Sequence, residues 1–207
     1  MHESACGGDK SKCPSAGFSD APAYGNWAHG GIDYVVSHGY FNGTSSTTFS
    51  PNAPMTRAML VTVLWRGCGS PEGFENPFTD VKDSAYYAQA AAWGHKFGVV
   101  QGMGEGKFAP DETVTREQLA TFLFRLTQLG GSDTGERAQL SGFPDQGKVS
   151  KYAREAMQWA VASGLIEGVG SGGKSYLQPK SGATRAQVAT IIMRYATMLE
   201  EIDEGIA

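Results

Sequence analysis

The stretch VTREQLATFLFRL, Val114–Leu126, has two counterparts in the same chain, MTRAMLVTVLWRG at Met55–Gly67 and ATRAQVATIIMRY at Ala183–Tyr195. In the first, Leu119, Phe122, Leu123 and Leu126 recur at i, i+3, i+4 and i+7, and Val188, Ile191, Ile192 and Tyr195 repeat the stripe in the last. That period predicts helices with one face toward a core. Thr56, Thr115 and Thr184 stand immediately before these helices, where a hydroxyl accepts from an unpaired backbone N–H. Gln118 and Gln187, three residues later, complete a capping box, whereas Met59 breaks it in the first copy.

Outward from these helices, the chain reads as three copies of one unit. FSD at Phe18, FTD at Phe78 and FPD at Phe143 open the units, offset by 60 and 65 residues. Aromatic-led stretches follow, Trp27 to Gly39, Tyr86 to Gly98 and Tyr152 to Gly164. Each predicts a short helix, with Ile32, Val35 and Val36, or Ala153, Ala156, Met157 and Ala160, on one face and a left-handed glycine cap after it. Helices this short are marginal alone, so they must pack on other units. Glycine-bearing loops, NGTSSTTFSP, QGMGEGKFAP and EGVGSGGKSYLQP, lead to the Thr-Arg helices. The expected organisation is a mainly α protein: a leader at 1–17, repeats at 18–73, 74–133 and 134–200, and a tail at 201–207.

With 207 residues, 41% of them hydrophobic and 11% aromatic, the chain can bury a core. Its net charge of −4 and absence of a basic run argue against nucleic-acid binding. No apolar run is long enough for a membrane span, and Met1-His2-Glu3 lacks the start of a signal peptide, so a segment of a longer protein is expected. Cys6 and Cys13 bracket a short loop; a disulfide, implying an oxidising compartment, is favoured over metal ligation, since His2, His29, His38 and His95 have no ligand-like spacing. Cys68 reads as a half-buried small apolar residue rather than a nucleophile.

GVGSGGKS, Gly168–Ser175, fits the phosphate-binding pattern G-x-x-x-x-G-K-[ST]. That loop works only between a buried strand and a helix starting at the lysine. Here Gly164 precedes it and Pro179 follows closely, and the segment replaces GTSSTT and GMGEGK of the other units, so a loop insertion explains it.

Arg57, Arg116 and Arg185 lie in a first helical turn, where the helix dipole disfavours a cation by about 0.3–1 kcal/mol. Two compensations are open. Asp20, Asp80 and Asp145 recur in the same order and could pair with them across units, or an external anion could be held by guanidinium and free helix N–H groups. Trp27, Tyr86 and Tyr152 could face a sugar ring, although a core position is the stronger expectation for any one of them. Gly43, Gly102 and Gly168 would allow close approach of a ligand, as they would allow a turn.

The order Phe-x-Asp, aromatic-led helix, Asn/Gln-Gly loop, Phe-x-Pro and helix-initial Thr-Arg resembles the S-layer homology family from about Phe18 to Leu199. The resemblance implies a three-pronged pseudo-trimer around a central helical bundle, a monomer with internal pseudo-threefold symmetry. It also implies non-covalent anchoring of an exported Gram-positive protein at the cell wall or S-layer. The implied partner is secondary cell-wall polysaccharide, often carrying pyruvylated amino sugar, whose carboxylate Arg57, Arg116 and Arg185 would contact in grooves between repeats. Met59, Gln118 and Gln187 replace the family's final Glu of Ile-Thr-Arg-Ala-Glu, and Glu167 replaces the amides of Asn42 and Gln101, which would repel an acidic sugar. No catalytic signature, cofactor or metal is expected, so the reading is a binding module and not an enzyme. Its rival is a protein-binding array at the cell surface.

Overall fold

A computed structural model describes residues 9–205 of the chain. The Cys6 end of the expected loop lies outside these residues. Cys13 is disulfide-bonded, and Cys68 is a free thiol that is exposed rather than half-buried.

Among the described residues, six α-helices dominate: α1 (His29–Ser37), α2 (Arg57–Gly67), α3 (Ala88–Lys96), α4 (Arg116–Leu129), α5 (Arg154–Ala162) and α6 (Arg185–Asp203). The short helices are those after the leading aromatics, and they end as expected: Gly39, Gly98 and Gly164 take φ of +67°, +73° and +67°. The long ones start as expected too. Thr115 and Thr184 complete capping boxes with Gln118 and Gln187, while Thr56 accepts only from the Met59 N–H.

The chain divides into two compact units. One holds the residues up to Met55 together with those from Ala183 onward. Here α1 packs on α6, and Gly31 sits so close to the Thr190 backbone that an added Cβ would come within 2.7 Å of its Cα. Ile32, Val35, Phe41, Phe49, Val188 and Ile192 are buried in this unit. The other unit, Thr56–Gly182, contains two such pairings, α2 on α3 and α4 on α5, the latter with the Phe124 and Trp159 rings 5.6 Å apart. Every pairing therefore joins the second helix of one repeat to the first helix of the next, and the third repeat pairs with the first. Apolar stripes on both partners explain why neither short nor long helix stands alone.

The phosphate-loop look-alike is a β-hairpin. β1 (Val169–Ser171) and β2 (Lys174–Tyr176) pair antiparallel with Ser171 opposite Lys174, and Gly172 and Gly173 turn the chain at φ +56° and +73°. Two successive positive φ values match a type I′ turn, which glycines adopt without steric cost.

Candidate functional site

The three Phe-x-Asp aspartates do not meet the arginines. Each instead accepts two successive backbone N–H groups of its own repeat's loop: Asp20 from Phe49 and Ser50, Asp80 from Phe108 and Ala109, Asp145 from Leu177 and Gln178. The second residue of each pair is non-glycine in left-handed conformation, Ser50 at +58°, Ala109 at +56° and Gln178 at +50°. Such residues carry about 1–3 kcal/mol of strain, and the charge-assisted bonds to aspartate offset it.

The arginines grip the same peptide from the other side. Arg57 Nε donates to the Phe108 carbonyl at 2.9 Å and Nη2 to that of Gln101 at 3.1 Å. Arg116 does so with Leu177 (2.8 Å) and Glu167 (2.9 Å), and Arg185 with Phe49 (2.8 Å) and Asn42 (2.8 Å). In each case the loop belongs to the repeat whose first helix packs on the arginine's helix. Phenylalanine rings complete the shell: the Arg57 Cζ lies 4.9 Å from the centre of Phe108, and that of Arg185 lies 4.6 Å from Phe49.

The helix starts are closed as well. The N–H groups of Arg57 and Ala58 donate to the carbonyls of Glu112 and Pro110, those of Arg116 and Glu117 to Ser181 and Pro179, and those of Arg185 and Ala186 to Ala53 and Pro51. The next N–H is taken by the capping threonine. Free helix N–H groups, one half of the external-anion reading, are thus absent at these three ends, and so are the aspartate pairs of the alternative. Carbonyls, which carry no full charge, do the holding.

This leaves a cation without a contacting acid. Arg57 and Arg116 are 2% and 6% exposed and form no ion pair. Burial lowers both guanidinium pKa values, opposed for Arg57 by Tyr152, Asp80 and Glu112 and for Arg116 by Asp145. A guanidinium stays charged even so. Their Nη1 atoms have no hydrogen-bond partner in the protein, so each guanidinium keeps donor capacity that the carbonyls do not use.

Trp27, Tyr86 and Tyr152 are 64%, 64% and 55% exposed, so the core position expected for them does not hold. They precede the first helices, one residue before the apolar face begins, and their rings face solvent. Gly43, Gly102 and Gly168 are explained by the chain itself: an added Cβ would lie 2.4, 3.3 and 2.9 Å from the Cε1 of Phe18, Phe78 and Phe143. The glycines admit the Phe-x-Asp ring of their own repeat.

Two clusters escaped the sequence reading. Glu117, the residue after Arg116, is 2% exposed and receives the Ser150 N–H (3.0 Å), the Ser150 hydroxyl (2.9 Å), the Tyr152 hydroxyl (3.1 Å) and Lys180 Nζ (2.6 Å). Burial works to raise its pKa, but Lys180 and Ser150 together hold it below the ordinary 4.5. The signal was present: Ala58, Glu117 and Ala186 occupy one repeat position, and Asn52, Asp111 and Lys180 another, so the acid stands in the second copy alone and the base in the third alone. In the other unit, Cys13, His29 and Asp33 are buried with one potential ligand atom each within 4.8 Å of the others. The disulfide denies Cys13 a thiolate, and Asp33 serves the leader, accepting the Ser15 N–H at 3.1 Å and hydroxyl at 2.5 Å.

A family comparison also finds one domain in triplicate along this chain. The S-layer homology domain matches residues 17–58, 77–120 and 142–189. The chain belongs to the S-layer homology family. An endoglucanase of Bacillus sp. (strain KSM-635) is 34% identical over 89% of this chain and 19% of its own length. The surface-layer 125 kDa protein of Lysinibacillus sphaericus is 28% identical over 91% of this chain and 15% of its own. An undecaheme cytochrome from the S-layer of Carboxydothermus ferrireducens aligns over 87% of this chain and 23% of that one, with 18% identity and a TM-score of 0.44. The S-layer homology chain thus spans less than a fifth of the relatives it matches, enzyme and surface protein alike. An extracellular place at the cell wall or S-layer agrees with that company. Among the described residues no helix is long and apolar enough to cross a membrane.

Proposed function

We propose that this S-layer homology triplet anchors a larger exported protein non-covalently to the cell wall by binding an acidic secondary cell-wall polysaccharide, and that it does no chemistry itself. The observation that carries the reading is the pair of buried guanidinium groups, Arg57 and Arg116, held by carbonyls with no acid in contact and with one nitrogen each that no protein group bonds. A carboxylate on the ligand would supply the missing charge through a charge-assisted bond. The exposed faces of Trp27, Tyr86 and Tyr152 supply walls for sugar rings. Gly43, Gly102, Asp20, Asp80 and Asp145 act in this reading by shaping the loop the arginine holds, not by touching sugar.

The ligand class is a pyruvylated amino sugar, and successive sites along one polymer add avidity. The three repeats, bounded at 18–73, 74–133 and 134–200, form a pseudo-trimer in one monomer, a reading supported by the exchange of partners from each repeat to the next. Purified sacculi test it. The chain should sediment with them, and mild acid that removes pyruvate ketals should release it. Tyr86→Ala and Trp27→Ala, at exposed positions, should weaken the attachment several-fold without unfolding the chain. Undiminished sedimentation with ketal-free sacculi would count against the polysaccharide and favour a protein partner.

A further inference from the structure

Among the described residues, Cys13, His29 and Asp33 form the one cluster with the side-chain types of a metal site. All three are buried. His29 and Asp33 stand one turn apart on the same face of α1, and Cys13 comes from the leader, whose Pro14–Gly17 turn packs on that helix. Spacing between cysteine and histidine alone hid the set, because its third member is a carboxylate.

The separations suit ligands around one small cation. Bond lengths of about 2.3 Å to sulfur and about 2.0–2.2 Å to nitrogen and oxygen place tetrahedral ligand atoms about 3.3–3.6 Å apart. His29 Nε2 lies 3.5 Å from Cys13 Sγ and 3.1 Å from Asp33 Oδ2, and all three ligand atoms lie within 4.8 Å of one another. The far side of two ligands is already held. The Pro22 carbonyl, 2.9 Å from His29 Nδ1, only accepts, so Nδ1 carries the hydrogen and the neutral ring keeps its lone pair on Nε2. Asp33 Oδ1 accepts from the Ser15 N–H and hydroxyl, which leaves Oδ2 facing Nε2. Outer bonds of this kind orient metal ligands. Charge fits as well: one thiolate and one carboxylate neutralise a divalent cation, so the occupied site buries no net charge.

We propose that the Cys13 sulfur serves two states: a disulfide under oxidising conditions and, after reduction, a ligand in a Cys13–His29–Asp33 zinc site with water at the fourth position. A dithiol reductant delivers two electrons and two protons to the S–S bond and leaves as a disulfide itself. The Cys13 thiol then releases its proton to solvent as the metal takes the thiolate. Thiolate and imidazole together select zinc over calcium or magnesium. The metal thereby replaces the disulfide in fastening the leader to α1. This site is independent of what the arginine junctions bind.

The test uses the whole chain carrying Cys68→Ser, which removes the exposed free thiol. Cobalt(II) is the probe, because its thiolate charge-transfer band reports a sulfur ligand directly. The oxidised chain should show no band. After anaerobic reduction with a phosphine, which competes for metal less than a dithiol does, the band should appear, saturate at one cobalt per chain and vanish on addition of zinc. Cys6→Ser removes the disulfide partner that the sequence predicts for Cys13 and should show the band without reductant. Cys13→Ser should abolish it, and His29→Ala should weaken cobalt binding by at least about tenfold. Zinc should raise the melting temperature of the reduced chain and leave that of the oxidised chain unmoved. No band in either the reduced chain or Cys6→Ser, both of which keep every cluster side chain, would overturn the proposal, as would a band that survives Cys13→Ser.

Discussion

The Arg57 and Arg116 junctions lie in the same compact unit and share one frame. In both, an arginine takes two carbonyls from the next repeat's loop, an aspartate takes two N–H groups of that loop, and a threonine caps the helix. They differ at the residue after the arginine, Ala58 in one and Glu117 in the other, and at the residue after the loop proline, Asp111 in one and Lys180 in the other. The frame is thus common property of the repeats, and the surface charge chemistry is written on positions the frame leaves free. A motif that recurs three times marks what folding needs, and a departure from it marks where one junction does something else.

The largest effect should show that the frame is shared. Arg57→Ala and Arg116→Ala each remove two charge-assisted bonds, about 1.5–3 kcal/mol apiece, and leave a cavity. Both should lose about 3–5 kcal/mol in denaturant melts, by similar amounts, since breaking a buried charged contact costs that much. A loss under about 1 kcal/mol at either would break the equivalence.

Transplanting the difference is the next test. Ala58→Glu places a carboxylate beside Ser84 and Tyr86 but also near Asp111, and should cost about 1–3 kcal/mol as a buried, unpaired charge. Adding Asp111→Lys should recover at least half of that loss, because it recreates the Lys180 partner. No recovery would mean that the two junctions are not interchangeable.

How much of this was legible in the residues follows from the same contrast. Helix caps, apolar stripes and glycine ends could be read because their partners lie within a few residues, as at Thr115 with Gln118 or at Gly98. The arginine and aspartate partners could not, because they are backbone carbonyls and N–H groups, which every residue carries and no letter records. The exposure of Trp27 and Tyr86 was hidden for a different reason: an aromatic is equally suited to a core and to a sugar face. Glu117 was visible in the very stretch that defines the repeat, and only aligning the copies against Lys180 would have shown its partner.

The smallest effects concern titration. The Glu117 carboxyl is held below its ordinary 4.5, so the stability it adds is full above that pH and is lost as pH falls through the lowered value. The difference between wild type and Glu117→Gln should therefore shrink on acidification below 4.5 and stay flat above it. Tyr152 is pushed up to about 12, first by burial and then by the charge and hydrogen bond of Glu117. In Glu117→Gln its phenol should ionise at lower pH, nearer the ordinary 10.0, as read from tyrosinate absorbance. An unmoved Tyr152 would contradict the hydrogen bond on which the contrast depends.

The most direct measurement is a calorimetric titration of the chain with purified wall polysaccharide, before and after removal of its acidic ketals. Buried arginines that await an anion should give saturable binding to the intact polymer, with affinity at least about tenfold weaker, or about 1.4 kcal/mol, for the stripped one. Equal affinity for the two polymers would contradict the account.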